Sequence, residues 1–353
     1  MARPYAMVSG VMKAFIASVF SLLMLLAASA QASDDLYVGE LPVQTEKGEI
    51  VPVSDVLNQV LVRLTGEVGQ DLVKRLVLED SDIEAMVLTR EFRQIEVPQA
   101  DGRSRSLRMQ RIEFDSRALN QRLEQFGLSR WGSERPNLLF WVVADQDGRA
   151  SYLLEDAYID YAIRRAAFRY GLNLIRPILD AGDQIEVSPS DIRGGFTDAA
   201  LPAMRRYGAG GIIMLDLRSN QNFTTGRWAW RLGDLERGFE RSGEDAAEVV
   251  DIGLSQIATA LSRRLAVRAG QTSVQQLVVS GMSSPLHYAE VLNVLNGLTG
   301  VDSLRVLEAD AQSIMFELVT NASGLESRIG LSGLLQFERR DPITGELHYR
   351  LVW

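Results

Sequence analysis

Six consecutive apolar residues, Leu138-Leu139-Phe140-Trp141-Val142-Val143, constrain the fold of this chain more than any other feature. A run this short and without alternation reads as a strand buried on both faces, so layers must pack above and below it. Gly211 to Leu217 is a second run of the same kind, and helical patterns surround the pair. The spacing predicts a helix over 151–170, with Leu154, Ala157, Tyr158, Tyr161, Ala162 and Ala166 on one side and Gly171 at its end. Leu172 to Leu179 reads as a strand end or sheet edge, because Pro177 cannot donate to a ladder. Asp198 to Tyr207 reads as a short helix. Gly226 to Leu232 alternates and pairs with Phe239-Glu240-Arg241 as a hairpin. Glu244 to Val267 closes the unit as an amphipathic helix carrying Val250, Leu254, Ile257 and Leu261. The order βαβαβ followed by ββα predicts an α/β sandwich with a mixed sheet over 135–269.

The flanking segments keep a different rhythm. Over 33–134 the pattern is α+β. A strand-like Leu36 to Val43 comes first. A helix then starts at Ser54-Asp55 and stops at Gly66, and a hairpin of Phe92–Val97 with Arg105–Phe114 turns at Asp101-Gly102. A last helix begins at Asp115-Ser116. Beyond a linker at 268–272, residues 273–353 follow the order βαββαβ with an extra hairpin strand, the ferredoxin-like pattern. Ser284-Pro285 starts its first helix, which runs to Gly300. Ser323-Gly324-Leu325-Glu326 forms a capping box for the second, which runs through Leu334. The expected class is α+β in three domains.

Composition narrows the chemistry. Cys is absent from all 353 residues, which excludes disulfides, thiol catalysis, iron–sulfur clusters and a lipid-modified Cys. Two His, His287 and His348, are too few for a His-rich metal centre, and no cofactor is expected. Acidic residues exceed basic ones, 46 to 37, for a net charge of -9. That balance disfavours nucleic acid as a partner, since phosphate neutralisation needs a dense basic face. Residues 1–32 read as a secretory signal: Arg3 and Lys13, an apolar stretch from Ala14 to Ala28, and Ala30-Gln31-Ala32 as a cleavage site. The apolar run is shorter than the ~20 residues that span a bilayer. Cleavage after Ala32 gives a periplasmic product without a transmembrane segment, starting at Ser33.

No motif for phosphate, dinucleotide, zinc or serine-nucleophile chemistry occurs. Gly208-Ala209-Gly210-Gly211 precedes a strand, whereas a phosphate cradle precedes a helix. Glu155, Asp156 and Asp160 supply carboxylates on one predicted helix, the raw material of a hydrolase. Arg103, Arg105, Arg108 and Arg111 form the densest basic cluster and read first as a solvated hairpin edge protected from aggregation by charge; they are also the candidate binding residues, for an anionic lipid head group, a peptidoglycan carboxylate or an acidic protein. Trp228 and Trp230 share a strand parity and are expected under the helix 244–267, with Trp141 in the core.

Several segments together resemble a family. Val60-Leu61-Val62-Arg63-Leu64-Thr65-Gly66, then Trp131-Gly132-Ser133-Glu134-Arg135-Pro136 running into Leu139-Phe140-Trp141, are similar to the proteobacterial "domain of unknown function 2066" family. Arg206-Tyr207-Gly208-Ala209 and Gly226-Arg227-Trp228-Ala229-Trp230 are similar too, so the resemblance spans roughly 36–270. It implies an exported protein without an assigned activity. At fold level the central segment is similar to α/β modules of envelope proteins that act by binding partners. The expected function is therefore that of a non-catalytic binding or accessory protein of the cell envelope, partnered by an envelope protein or polymer. The alternative is a carboxylate-dependent hydrolase with its site in an interdomain cleft.

Overall fold

The computed structural model describes residues 34–43, 50–132, 135–146, 148–153, 156–220, 222–266, 273–310, 313–320 and 325–352. The expected leader 1–32, the linker 268–272, Leu154, Glu155, Ser323-Gly324 and Trp353 lie outside these residues. The chain is α+β; the described residues form three sheets, with a hydrophobic core for each.

In the first part, β1 (Val38–Pro42) leads to α1 (Val53–Thr65), then to the short helices α2 (Leu72–Arg75) and α3 (Asp80–Ala85). The hairpin β2 (Val87–Pro98) and β3 (Ser104–Phe114) follows, and then α4 (Ser116–Gln125). The sheet order is β1-β3-β2, all antiparallel. Val56, Leu57, Val60, Leu61 and Leu64 of α1 are fully buried against Ile112 and Phe114 of β3. Ser54 and Asp55 lie in the first turn of α1, not at its cap. Pro52 holds the cap position at φ -53, which its ring imposes, and starts the helix earlier than expected. Gly66 ends α1 in the left-handed region at φ 71, and a side chain there would collide with Ser262.

In the central part, β4 (Asn137–Gln146) and β5 (Arg149–Tyr152) form a hairpin, followed by α5 (Ala157–Tyr170) and β6 (Asn173–Ile175). Three short helices come next, α6 (Ala181–Glu186), α7 (Pro189–Gly194) and α8 (Leu201–Arg206). After them come β7 (Gly211–Ser219), β8 (Thr224–Leu232), β9 (Leu235–Gly243) and α9 (Ala246–Leu265). The two apolar runs are neighbours: β4 and β7 pair in parallel from Leu138↔Gly211 to Ala144↔Leu217. Alternate residues feed opposite cores. Leu138, Phe140, Val142, Ile213 and Leu215 pack with α5 and α9, while Leu139, Trp141, Val143, Ile212 and Met214 face the short helices. Trp228 and Trp230 lie on the α9 side, as their parity requires.

The structure corrects three central expectations. The helix expected from 151 begins at Ala157, capped by Asp156, because Gly148 (φ 80) turns the chain back into β5 first. The strand expected over 172–179 shrinks to β6, cut short ahead of Pro177. The helix expected over 198–207 is a 3-10 turn, Thr197–Ala200, followed by α8, whose first turn holds Pro202.

The last part comprises β10 (Ser273–Ser280), α10 (Pro285–Gly297), β11 (Val301–Ala309), β12 (Ser313–Thr320), α11 (Leu325–Leu331), β13 (Leu335–Arg340) and β14 (Leu347–Leu351). Both helices stop short of the expected ends: α10 at Gly297, before a turn that Gly300 (φ 81) completes into β11, and α11 at Leu331, before the turn at Gly333. Its sheet order, β11-β12-β10-β14-β13, departs from the ferredoxin-like arrangement at one edge. The strand after α11 should lie beside β10, but β14 takes that place and runs parallel to β10. Burial explains the exchange. Leu347, Tyr349 and Leu351 of β14 are buried, whereas β13 buries Leu335 alone, so the more apolar strand occupies the interior.

Arg135 joins the parts. Its guanidinium donates to the carbonyls of Gly132 (2.9 Å), Tyr170 (3.2 Å), Gly171 (2.6 Å), Arg63 (2.8 Å) and Trp131 (2.8 Å), and it lies 4.0 Å from the centroid of the Trp131 ring. A Cβ on Gly132 would collide with Thr299, so the last part also packs close to this joint.

Candidate functional site

The β2–β3 hairpin presents the four candidate arginines, and strand alternation separates them. Arg103 is paired with Asp101 at 2.7 Å beside the turn. Arg105 is exposed at the start of β3. Arg108 points to the other face and lies 4.5 Å from the centroid of the Phe92 ring. Arg111 joins an ion cluster around Glu40, a buried carboxylate on β1. Arg93 contacts Glu40, Arg111 stands 3.7 Å from it, and Arg165 of α5 stands 3.2 Å from it. The cluster ties the first sheet to α5. The four arginines therefore do not converge on one anionic ligand.

Of the expected carboxylates, the two that are described, Asp156 and Asp160, have separate structural partners. Asp156 caps α5 by accepting from the Ile159 amide, and Asp160 pairs with Arg176 at 3.1 Å. Gly208 and Gly210 form the loop into β7, and the Gly210 amide donates to the Asn137 carbonyl. This loop borders a groove of about 800 Å³ between the central and last parts. Arg135, Arg264, Arg328 and several glycines line it, and its described lining contains no carboxylate. A second groove, about 770 Å³, contains Asp55, Asp71, Lys74 and Tyr170. There the Lys74 ammonium and amide hold the Asp71 carboxyl below its ordinary range, the opposite of what a general acid requires.

Two buried aspartates escaped the sequence reading. Asp183 of α6 accepts from the Leu179 amide (2.9 Å) and the Tyr207 hydroxyl (2.7 Å) and pairs with Arg206. Leu179 holds a positive φ of 56, and this contact helps to keep it there. Asp216 lies near the carboxyl end of β7, where Arg218 (2.7 Å) and Arg193 (3.5 Å) flank it. Its signal was available: a single acid inside the run Ile212 to Leu217 must find a cation. Both aspartates are committed to ion pairs that hold loops and short helices against the sheet.

One face of the C-terminal sheet carries no helix among the described residues. Helices α10 and α11 both pack on the opposite face, against Leu277, Val279, Phe316, Leu318 and Tyr349. Alternate residues of the same strands point the other way. Cross-strand pairs Val274↔Val319 and Val278↔Met315 bracket Gln276↔Glu317 on this face, and Val278 also neighbours His348. None of these residues is buried, and Val274 is 62% exposed. Glu317, between the two apolar pairs, meets Arg305 (2.8 Å), Arg350 of β14 meets Glu338 of β13 (2.6 Å), and the His348 imidazole stands 3.8 Å from the Glu346 carboxylate. Apolar cross-strand pairs on either side of an ion-paired Glu317 give this face a mixed apolar and charged character. Its sequence signal was apolar residues of both parities in β10 within a segment that has helices for one face only.

Among the described residues no helix is long and apolar enough to cross a membrane. No known family model matches the sequence, and no curated protein matches it. A solved structure titled "Crystal structure of uncharacterized protein" is similar over 37% of this chain and 92% of its own, with 9% identity and a TM-score of 0.16, too low to define a shared fold.

Proposed function

We propose that this chain is an exported, non-catalytic binding or accessory protein of the cell envelope, and that its C-terminal sheet provides the contact surface. The observation that carries the reading is the helix-free sheet face that bears Val274, Val278, Met315 and Val319 on either side of Gln276 and the ion-paired Glu317. The signal-like residues 1–32 and the resemblance to the domain of unknown function 2066 family support the periplasmic address. The hydrolase reading needs two carboxylates facing a cleft. The groove between the central and last parts offers arginines and glycines instead. A direct test compares Val278→Asp and Met315→Lys with the parent chain in co-purification from envelope extracts after crosslinking. The expected result is loss of a discrete adduct with an unchanged melting temperature. Retention of the adduct by both variants would remove the C-terminal sheet from the proposal.

A further inference from the structure

We propose that two copies of this chain join edge to edge through β2, antiparallel about a twofold axis at Phe92, merging two three-stranded sheets into one continuous sheet. β2 is the outer strand of its sheet and twelve residues long, exposed from Leu88 through Gln94. Leu88 and Phe92 are 59% and 38% exposed there. Its one irregularity is confined to the Val87/Thr89 end, leaving the rest regular for pairing. Long regular edges invite strand addition unless charge or a bulge prevents it.

The charge pattern of β2 identifies a second copy as the occupant. In an antiparallel pair, opposed residues share a face, so a twofold axis must pass through a residue opposed to itself. With the axis at Phe92, Glu91 of each copy faces Arg93 of the other, Arg90 faces Gln94, Thr89 faces Ile95 and the Phe92 rings meet. Moving the axis to Glu91 or to Arg93 places identical charges in opposition. The Phe92 register is thus selected against its neighbours. Intrachain contacts of Glu91 with Arg111 (3.3 Å) and of Arg93 with Glu40 hold these side chains in place beforehand.

The outer strand of the central sheet shows the contrast. In β9, an axis at Gly238 opposes Glu236 to Glu240, and an axis at Phe239 opposes Arg237 to Arg241. That edge repels its own copy. The other outer strands of the central and last sheets are short (β5 and β6) or interrupted by register shifts (β11 and β13).

Sedimentation equilibrium tests the association, and the absence of native Cys makes the register readable by disulfide trapping. The chain should sediment as a dimer, and Glu91→Lys should weaken association at least about tenfold by opposing Lys to Arg93. Phe92→Cys should form an interchain disulfide, since opposed Cα atoms of an antiparallel pair, about 4.5–5.5 Å apart, fall within disulfide reach. Leu88→Cys should not, because its copies would stand roughly 27 Å apart. An equimolar mixture of Arg90→Cys and Gln94→Cys should crosslink, which keeps the register testable if the Phe92 substitution weakens the dimer. A monomer at every concentration, or a dimer in which neither Phe92→Cys nor the mixed pair crosslinks, would overturn the proposal.

Discussion

Trp228 shows at one residue how the central sheet is held to its helix. Its ring is stacked between Phe140 and Phe239, with centroids 5.9 Å away on each side. Gly253 of α9 leaves room for it, since a Cβ there would strike the ring. Trp228→Ala should therefore cost about 3–5 kcal/mol, read as a lowered melting temperature. The pair Arg103→Ala with Arg105→Ala, at exposed positions, should change stability by less than about 0.5 kcal/mol. Tyrosines make a separate, pH-dependent contribution. Burial, and then the Asp245 carboxylate accepting its hydroxyl, push Tyr158 up to about 12. Burial and the Asp251 carboxylate raise Tyr170 as well. Ionisation is thus harder in the folded chain than in the unfolded one, where a phenol titrates near 10. Stability from these groups should be intact below about pH 10 and fall as pH climbs toward 12. Denaturant titrations at pH 8, 10 and 11.5 should show that loss, and Tyr158→Phe should reduce it.

The long elements could be read from sequence because hydrophobic periodicity needs length. Helices α1, α4, α9 and α10, the β2–β3 and β8–β9 hairpins, and the β4–β7 pair all follow the pattern of their apolar residues. Helices α2, α3, α6, α7 and α8 have four to six residues each, too few for a period to emerge, and their boundaries come from caps and tertiary contacts. The exchange of β13 and β14 was hidden for another reason: strand order depends on which strand buries more, a comparison between segments. Arg103, Arg105, Arg108 and Arg111 are close in sequence, yet strand alternation and distance along β3 divide them. The uncovered face of β10 and β12 was written in the sequence as apolar residues of both parities. Its exposure became evident only once both helices were placed on the same side. At the element scale the N-cap of α9 is a sharp test. Asp245 accepts from the Glu248 amide and from the Tyr158 hydroxyl, so Asp245→Ala should cost about 1–2 kcal/mol by chemical denaturation.

For the whole molecule, Arg135 sets how the first and central parts are joined. One planar guanidinium reaches five carbonyls on segments as far apart as Arg63 and Gly171. A lysine has three donors at a single point and cannot span them. Arg135→Lys should destabilise the chain by about 2–4 kcal/mol and split one calorimetric transition into two, as the first part melts ahead of the central sheet. The Glu40 cluster, which links β1 to α5, is a second tie between these parts. The last part carries the sheet face that no described helix covers, and it is this face that the proposed function uses. The most direct measurement of that account is site-specific photocrosslinking in cells, with a photoreactive residue at Val274 on the open face or at Ile185, which is exposed in α6. The account predicts a discrete high-mass adduct from position 274 and none from 185; no adduct from 274, or the same adduct from both positions, would contradict it.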